Sequence, residues 1–171
     1  MTTEEKELLL KDLCARLPYG MKVSVTFHDK RELFVGKEKK LTGILNAVYP
    51  DEERVIVDEL NEAIAPVNVR CGGFLLEEDS VKPYLRPLSS MTEEEADMFE
   101  DEFGFPMGAG ANETEFNVYD YIVIDFGYHI NLYISEMVDM MNWFYSHHFD
   151  VYHLIEKGLA LEAPYDMYKT E

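Results

Sequence analysis

The sequence predicts an α+β fold: an N-terminal helix, a small antiparallel SH3-like barrel or curled sheet, then a mostly helical C-terminal part. Apolar residues change from helical spacing to strict alternation near residue 21, and they return to helical spacing after residue 90. The 171 residues suit one domain or one small domain with an appended subdomain. We expect residues 1–90 to form a helix plus a small β-barrel domain. Residues 91–171 should form an acidic, aromatic-rich, mainly helical region packed on it.

The first predicted helix covers Thr3 to Arg16. Thr2 and Glu5, three residues apart, have the pattern of a capping box. Leucines recur on one face of this segment, which indicates that the helix packs against another element. Pro18, Tyr19 and Gly20 should end it.

Alternating apolar residues predict four or five short strands between Met21 and Arg70. Residues 41–49 and 54–58 flank a turn at 50–53, and residues 64–69 form a further extended run. Short strands gain most by closing into a barrel, because closure removes exposed edges. The basic residues Lys30, Arg31 and 37–40 should form a solvated hairpin tip, with a nucleic-acid-binding loop as the alternative.

Glycines and prolines predict a connector from Cys71 to Ser90. Ser90 or Thr92 should open a second helix that runs to about Phe103, since acids fill its first turn. The remaining predicted elements are a loop at 106–112, a strand at 118–126, a third helix at 132–148 with one broad apolar stripe (Ile134, Met137, Val138, Met141, Phe144, Tyr145 and His148), and a short fourth helix capped by Asp150 and ended by Gly158.

The charge of the chain is concentrated in its C-terminal half. The formal net charge is -19, of which residues 1–90 carry -3 and residues 91–171 carry -16. The 70 residues between Arg86 and Lys157 contain no lysine or arginine, but they contain 15 acids and 14 aromatic residues. Such a surface repels nucleic acid and anionic membranes and attracts basic partners. We therefore expect a basic protein partner, no nucleic-acid binding and no membrane association.

The N-terminus lacks the basic region and apolar core of a signal peptide, and no apolar run reaches the length of a spanning helix. The two cysteines, Cys14 and Cys71, are expected to be reduced and buried. These features favour the cytoplasm.

Four residues near the end of the third predicted helix combine imidazole with carboxylate: His147, His148, Asp150 and His153. Such groups can bind zinc, but their spacing matches no helix-borne zinc motif, and histidines at a helix C-terminus also favour capping or core roles. We expect no metal, no cofactor and no catalytic residue, and an enzyme with a site at this cluster is the alternative.

The second predicted helix is the candidate partner-binding site. Its acids lack the spacing of an EF-hand loop, so they form either a solvated face or a docking face for a basic protein. The predicted binding residues are Glu93, Glu94, Glu95, Asp97, Glu100 and Asp101.

Four motifs carry a resemblance: LPYG at 17–20, KPYLRPLSSMTEEE at 82–95, HHFD at 147–150 and GLALEAP at 158–164. They resemble a family of small acidic proteins, without an assigned activity, of Bacteroides-type gut bacteria and their phages and prophages. The chain departs from that family at Val151-Tyr152-His153, where Tyr-Arg-Gly often follows FD. The resemblance implies a bacterial cytoplasmic or phage-encoded context and an independently folding unit.

These observations favour a non-enzymatic interaction or regulatory protein that binds a basic partner through its acidic C-terminal half. A DNA-mimic inhibitor is a further alternative, because spaced carboxylates can imitate phosphates. The oligomeric state is left open by the sequence.

Overall fold

The structure, a computed structural model, describes residues 1–28, 38–62, 70–77, 80–104 and 134–168. Its helices and strands are α1 (Thr3–Arg16), β1 (Lys22–His28), β2 (Glu38–Tyr49), β3 (Arg54–Asp58), β4 (Gly72–Leu75), β5 (Val81–Leu85), α2 (Glu93–Phe103), α3 (Ile134–Ser146) and β6 (Leu161–Glu162). The predicted α+β class is confirmed. Within the described residues, none of the helices has both the length and the apolar character needed to cross a membrane.

The described strands form one sheet in the order β4-β3-β2-β1-β5-β6. Neighbours pair antiparallel, except that the short β6 runs parallel to β5. The sheet is open across these strands, with β4 at one edge and β6 at the other, and the SH3-like barrel stays a prediction. The segment that follows β3 crosses over β2, where the Asn61 amide donates to the Thr42 carbonyl at 2.8 Å.

The N-terminal helix begins and ends as predicted. The Thr2 hydroxyl accepts from the Glu5 amide, and the Glu5 carboxylate accepts from the Thr2 amide, which confirms the capping box. Leu9 and Leu13 are buried in the core that α1 shares with the sheet. Gly20 adopts a positive φ of 65°, where the chain turns into β1.

The predicted connector between Cys71 and Ser90 is wrong, because this segment holds β4 and β5. In β5 alternate residues are buried, including Val81 and Leu85. The sequence pattern does not predict β5 because this strand contains Pro83, and proline is rare inside sheets. Here it is tolerated because β6 pairs only with the next two residues of β5.

The second helix confirms the prediction, with Thr92 as its cap and Gly104 in the left-handed conformation at its end. It packs on α3 through a second apolar cluster around Phe99 and Phe144. The predicted stripe of α3 is partly wrong: Val138 is 52% exposed, whereas Met140 and Trp143 are buried. Met140, Trp143 and Phe144 pack in one cluster with Phe99 of α2.

The predicted fourth helix is also wrong, because residues 151–160 form a series of turns. His148 and His153 adopt positive φ values of 60° and 54°, which do not continue a right-handed helix. Asp150 still accepts two backbone hydrogen bonds at 2.8 Å, but from the amides of Leu154 and Ile155 rather than from a first helical turn.

Both cysteines are free and exposed, so the predicted burial of Cys14 and Cys71 is wrong. Several predictions lie outside the described residues, namely the basic residues 30–31 and 37, the extended run at 64–69, the loop at 106–112 and the strand at 118–126. The division at residue 90 stays a prediction. Within the described residues, Leu154, Leu159 and Ala160 join the core of the sheet.

Candidate functional site

The exposed face of α2 carries most of the predicted binding residues. Seven of its 11 residues are acidic, and none is basic. Within the described part of the chain, none of its exposed carboxylates pairs with a lysine or arginine: Glu93, Glu94, Asp97, Glu100, Asp101 and Glu102.

Glu95, one of the predicted binding residues, pairs with an arginine of this chain. Its carboxylate accepts two hydrogen bonds from Arg86, from Nη1 at 2.6 Å and from Nη2 at 2.8 Å. Burial acts to raise the pKa of Glu95, but the hydrogen bonds from Arg86 and Thr92 outweigh it and hold this pKa below its usual value. The Arg86 guanidinium also lies over the Phe149 ring, 4.4 Å from its centroid. This ion pair fixes the start of α2 against the end of β5.

Met98 is an apolar residue at the centre of the acidic face. It is 50% exposed. Glu94, Asp101 and Glu102 stand four residues before it and three and four residues after it, so all three share its side of the helix. Methionine is enriched in protein interfaces, and the rim of an interface is polar.

A cleft of about 450 Å³ opens beside the C-terminal end of α2. Carboxylates line it from two helices, Glu102 from α2 and Asp139 from α3, and aromatic rings line it from three elements, Tyr19, Phe103 and Trp143. No basic residue is among the described residues that line the cleft. Its lining therefore suits a cation that also has apolar surface.

The Trp143 wall of this cleft is held by packing. Its ring makes edge-to-face contacts with Phe99 and Phe144, with centroids 5.0 and 5.4 Å apart, and it stacks on His147 at 4.0 Å. Asp139, Asn142 and Ser146 follow one face of α3 on the same cleft. A ligand would meet a wall that is already ordered, which lowers the entropic cost of binding.

The predicted cluster of three histidines and Asp150 does not converge on one point. The His147 ring stacks on Trp143, and the His148 ring stacks on Tyr168 with centroids 3.7 Å apart. The His153 side chain lies 3.8 Å from Glu156. Among the residues that the structure describes, no group of three or more His, Cys, Asp or Glu is placed to hold a metal ion.

Ser146 and His147 are the described pair closest in form to a nucleophile and its base, with 3.1 Å between Ser146 Oγ and His147 Nδ1. Both atoms also lie 2.8 Å from the carbonyl oxygen of Trp143. Since a carbonyl only accepts, Nδ1 must carry the proton that it donates there. In this geometry Nδ1 cannot take a proton from Ser146, so the pair is not arranged for nucleophilic catalysis.

A buried polar cluster joins α1 to the segment after α3. Arg16 and Asp12 are both fully buried, and Arg16 Nε lies 2.9 Å from both carboxylate oxygens of Asp12. Burial raises the pKa of Asp12, although Arg16 opposes this effect. Burial, together with the charge of Arg16, lowers the pKa of His148 to about 3, so this ring is neutral in the folded protein at neutral pH. The cluster is closed to solvent and is structural.

Segments that carry three of the motifs meet around Phe149. Arg86 of the KPYLRPLSSMTEEE motif donates its amide to the His148 carbonyl and accepts from the Asp150 amide, both at 2.8 Å. The GLALEAP motif supplies β6, which pairs with β5. Comparisons with protein-family models, curated proteins and solved structures find no match to this chain.

The sequence prediction missed the residues of the cleft. The sequence pattern indicates no role for Asp139 or Trp143, and it predicts Tyr19 only as part of a helix stop. The one available signal was the single tryptophan of the chain, four residues after an acid on a helix. An acid and a tryptophan four residues apart on a helix match no known motif. Only the position of α2 beside them shows that they line a cleft.

Proposed function

We propose that this protein is a non-enzymatic interaction protein that binds a basic protein partner through the exposed acidic face of α2. The observation that carries the proposal is the exposed Met98 with Glu94, Asp101 and Glu102 on its side of the helix. Apolar contact, together with exposed carboxylates that pair with no described lysine or arginine, favours a partner with lysines and arginines around an apolar residue.

The distribution of acids along α2 supports a role beyond folding. Acids in the first turn are favoured by the helix dipole and by capping, so folding accounts for Glu93 to Glu95. The last turn prefers cations, yet it carries Glu100, Asp101 and Glu102 and no basic residue. Like charges three and four residues apart, such as Asp97 with Glu100 and Asp101, also repel. A basic partner would relieve both costs.

The test is affinity capture from the native host at low and at high salt, with the captured protein identified. The decisive variant is Glu94→Lys, Asp97→Lys and Asp101→Lys. A matched control changes net charge equally at exposed acids on other elements, Glu7→Lys, Asp51→Lys and Glu156→Lys.

We expect the parent and the control to capture the same basic protein and to release it as salt rises, because the contact is electrostatic. The α2 variant should lose it. If both variants lose capture equally, net charge alone is responsible, and if neither does, α2 is only a solvated surface. Either result overturns the proposal.

A further inference from the structure

We propose that the cleft between the end of α2 and α3 receives an arginine side chain of the basic partner. This inference rests on the proposed function and identifies the residue type that the partner inserts. It is drawn from the shape and lining of the cleft, whereas the proposed function is drawn from the exposed face around Met98.

Electrostatics favour a cation at this position. Glu102 and Asp139 reach the cleft from two different helices, and both are exposed. The α2 helix ends beside it at Gly104, whose amide donates to the Glu100 carbonyl at 2.7 Å. The negative end of the α2 dipole therefore adds to the two carboxylates. An anion would find no complementary charge among the described residues that line the cleft.

The aromatic lining selects a guanidinium over an ammonium. A planar guanidinium stacks on aromatic rings, is weakly hydrated and donates five hydrogen bonds, whereas an ammonium is a compact and strongly hydrated charge. The half-buried Tyr19 and Phe103 offer rings, the largely buried Trp143 completes the aromatic wall, and the side chains of Asn142 and Ser146 add polar groups. At about 450 Å³ the cleft lies within the usual range of ligand sites, and it is larger than one arginine side chain needs.

The single tryptophan lets the cleft be tested directly. Trp143 lines it, so its fluorescence reports on occupancy. The probes are acetyl-Gly-Arg-Gly-amide, its lysine counterpart, and its citrulline counterpart, which keeps the shape of arginine without the charge. The full chain is titrated with each probe, as the parent and as the double variant Glu102→Gln with Asp139→Asn. A double variant at exposed acids outside the cleft and outside α2, Glu7→Gln with Glu156→Gln, is the control.

The arginine peptide should change Trp143 fluorescence saturably, with affinity at least threefold higher than the lysine peptide and no saturable response to citrulline. The cleft variant should bind the arginine peptide at least fivefold more weakly, and the control should bind within twofold of the parent. An absent response, an equal response to citrulline, equal or tighter binding of lysine, or unchanged binding by the cleft variant would each overturn the inference.

The two proposals fail separately. The cleft variant does not alter Glu94, Asp97 or Asp101, and the capture variant does not alter Glu102 or Asp139. If capture requires the first three residues but the peptide leaves Trp143 unaffected, the proposed function stands and the arginine site falls. If the arginine peptide binds as expected but the α2 lysine variant captures the partner as well as the parent does, the proposed partner surface is wrong.

Discussion

The Arg16 guanidinium donates from Nη2 to the carbonyl oxygen of Phe149 at 2.5 Å, joining two residues that are 133 positions apart in the sequence. The same side chain pairs with Asp12 through Nε and lies over the Tyr145 ring, 5.0 Å from its centroid. One buried cation therefore holds the N-terminal helix against the segment that follows α3.

Replacing Arg16 with alanine should destabilise the fold by about 3–5 kcal/mol, because it leaves the Asp12 carboxylate buried without its partner. Urea denaturation measures this change. The double variant Asp12→Leu with Arg16→Met removes both charges and should recover most of the loss. A cost below about 1 kcal/mol for Arg16→Ala would show that the pair is not buried in solution.

His148 should make stability fall as the pH falls from about 6.5 to about 3. Its folded pKa of about 3 lies below the ordinary value of 6.5. Between these two values the unfolded chain binds a proton at this ring and the folded chain does not, so acid favours unfolding, by up to about 5 kcal/mol at the low end. Asp12 acts in the opposite direction, because its pKa is raised.

The comparison that isolates His148 is His148→Asn, since asparagine tolerates the positive φ at this position. The difference in unfolding free energy between parent and variant should shrink as the pH falls through this window. His153→Asn has the same backbone conformation and keeps His148, so it should retain the slope of the parent. An unchanged slope in His148→Asn would contradict the burial of this ring.

Glu95→Gln should cost about 1–3 kcal/mol, because it removes the charge from a half-buried, two-point pair with Arg86. Glu94→Gln is the matched control. It changes the same residue type one position earlier at an exposed site, where the effect should stay within about 0.5 kcal/mol. Thermal or urea denaturation distinguishes the two, and equal costs would mean that the Arg86 pair contributes no more than a surface acid.

Gly43→Ala should destabilise the sheet by about 1–3 kcal/mol through overpacking. A Cβ atom there would lie 2.5 Å from the Asp58 carbonyl oxygen and 2.6 Å from Cγ1 of Val57. Gly73→Ala, in the same sheet, places its Cβ at ordinary contact distances of 3.4 to 3.6 Å from side-chain atoms and should be nearly neutral. If the two variants denature at the same urea concentration, Val57 and Asp58 do not lie as close to Gly43 as these distances require.

The isolated protein should not bind duplex DNA or RNA. Its net charge of -19 opposes approach to phosphate, and the exposed lysines at the start of β2, Lys39 and Lys40, offer few contacts. A gel-shift assay at about 0.15 M salt measures this. Submicromolar binding would contradict the prediction and would redirect attention to the basic residues 30–40.

Local signals determined much of this fold in advance. The capping box of Thr2 with Glu5 depends on residues three positions apart, so the sequence alone located the start of α1. For α2 the sequence left Ser90 and Thr92 as alternative starts, and the structure shows Thr92 as the cap, in a box with Glu95. Alternating apolar residues likewise located β1, β2 and β3, and the acids of α2 already marked its face as charged.

The tertiary structure decided what depends on distant contacts. Pro83 reads as a break in the sequence, and only the limited pairing of β6 allows it within β5. Turns replace the predicted helix after Asp150, because His148 and His153 adopt the left-handed conformation, which does not continue a right-handed helix. Asp139 and Trp143 became part of a cleft only because packing on Phe99 brings α3 beside the end of α2. No local pattern encodes these arrangements, since each depends on free energy gained between residues far apart in the chain.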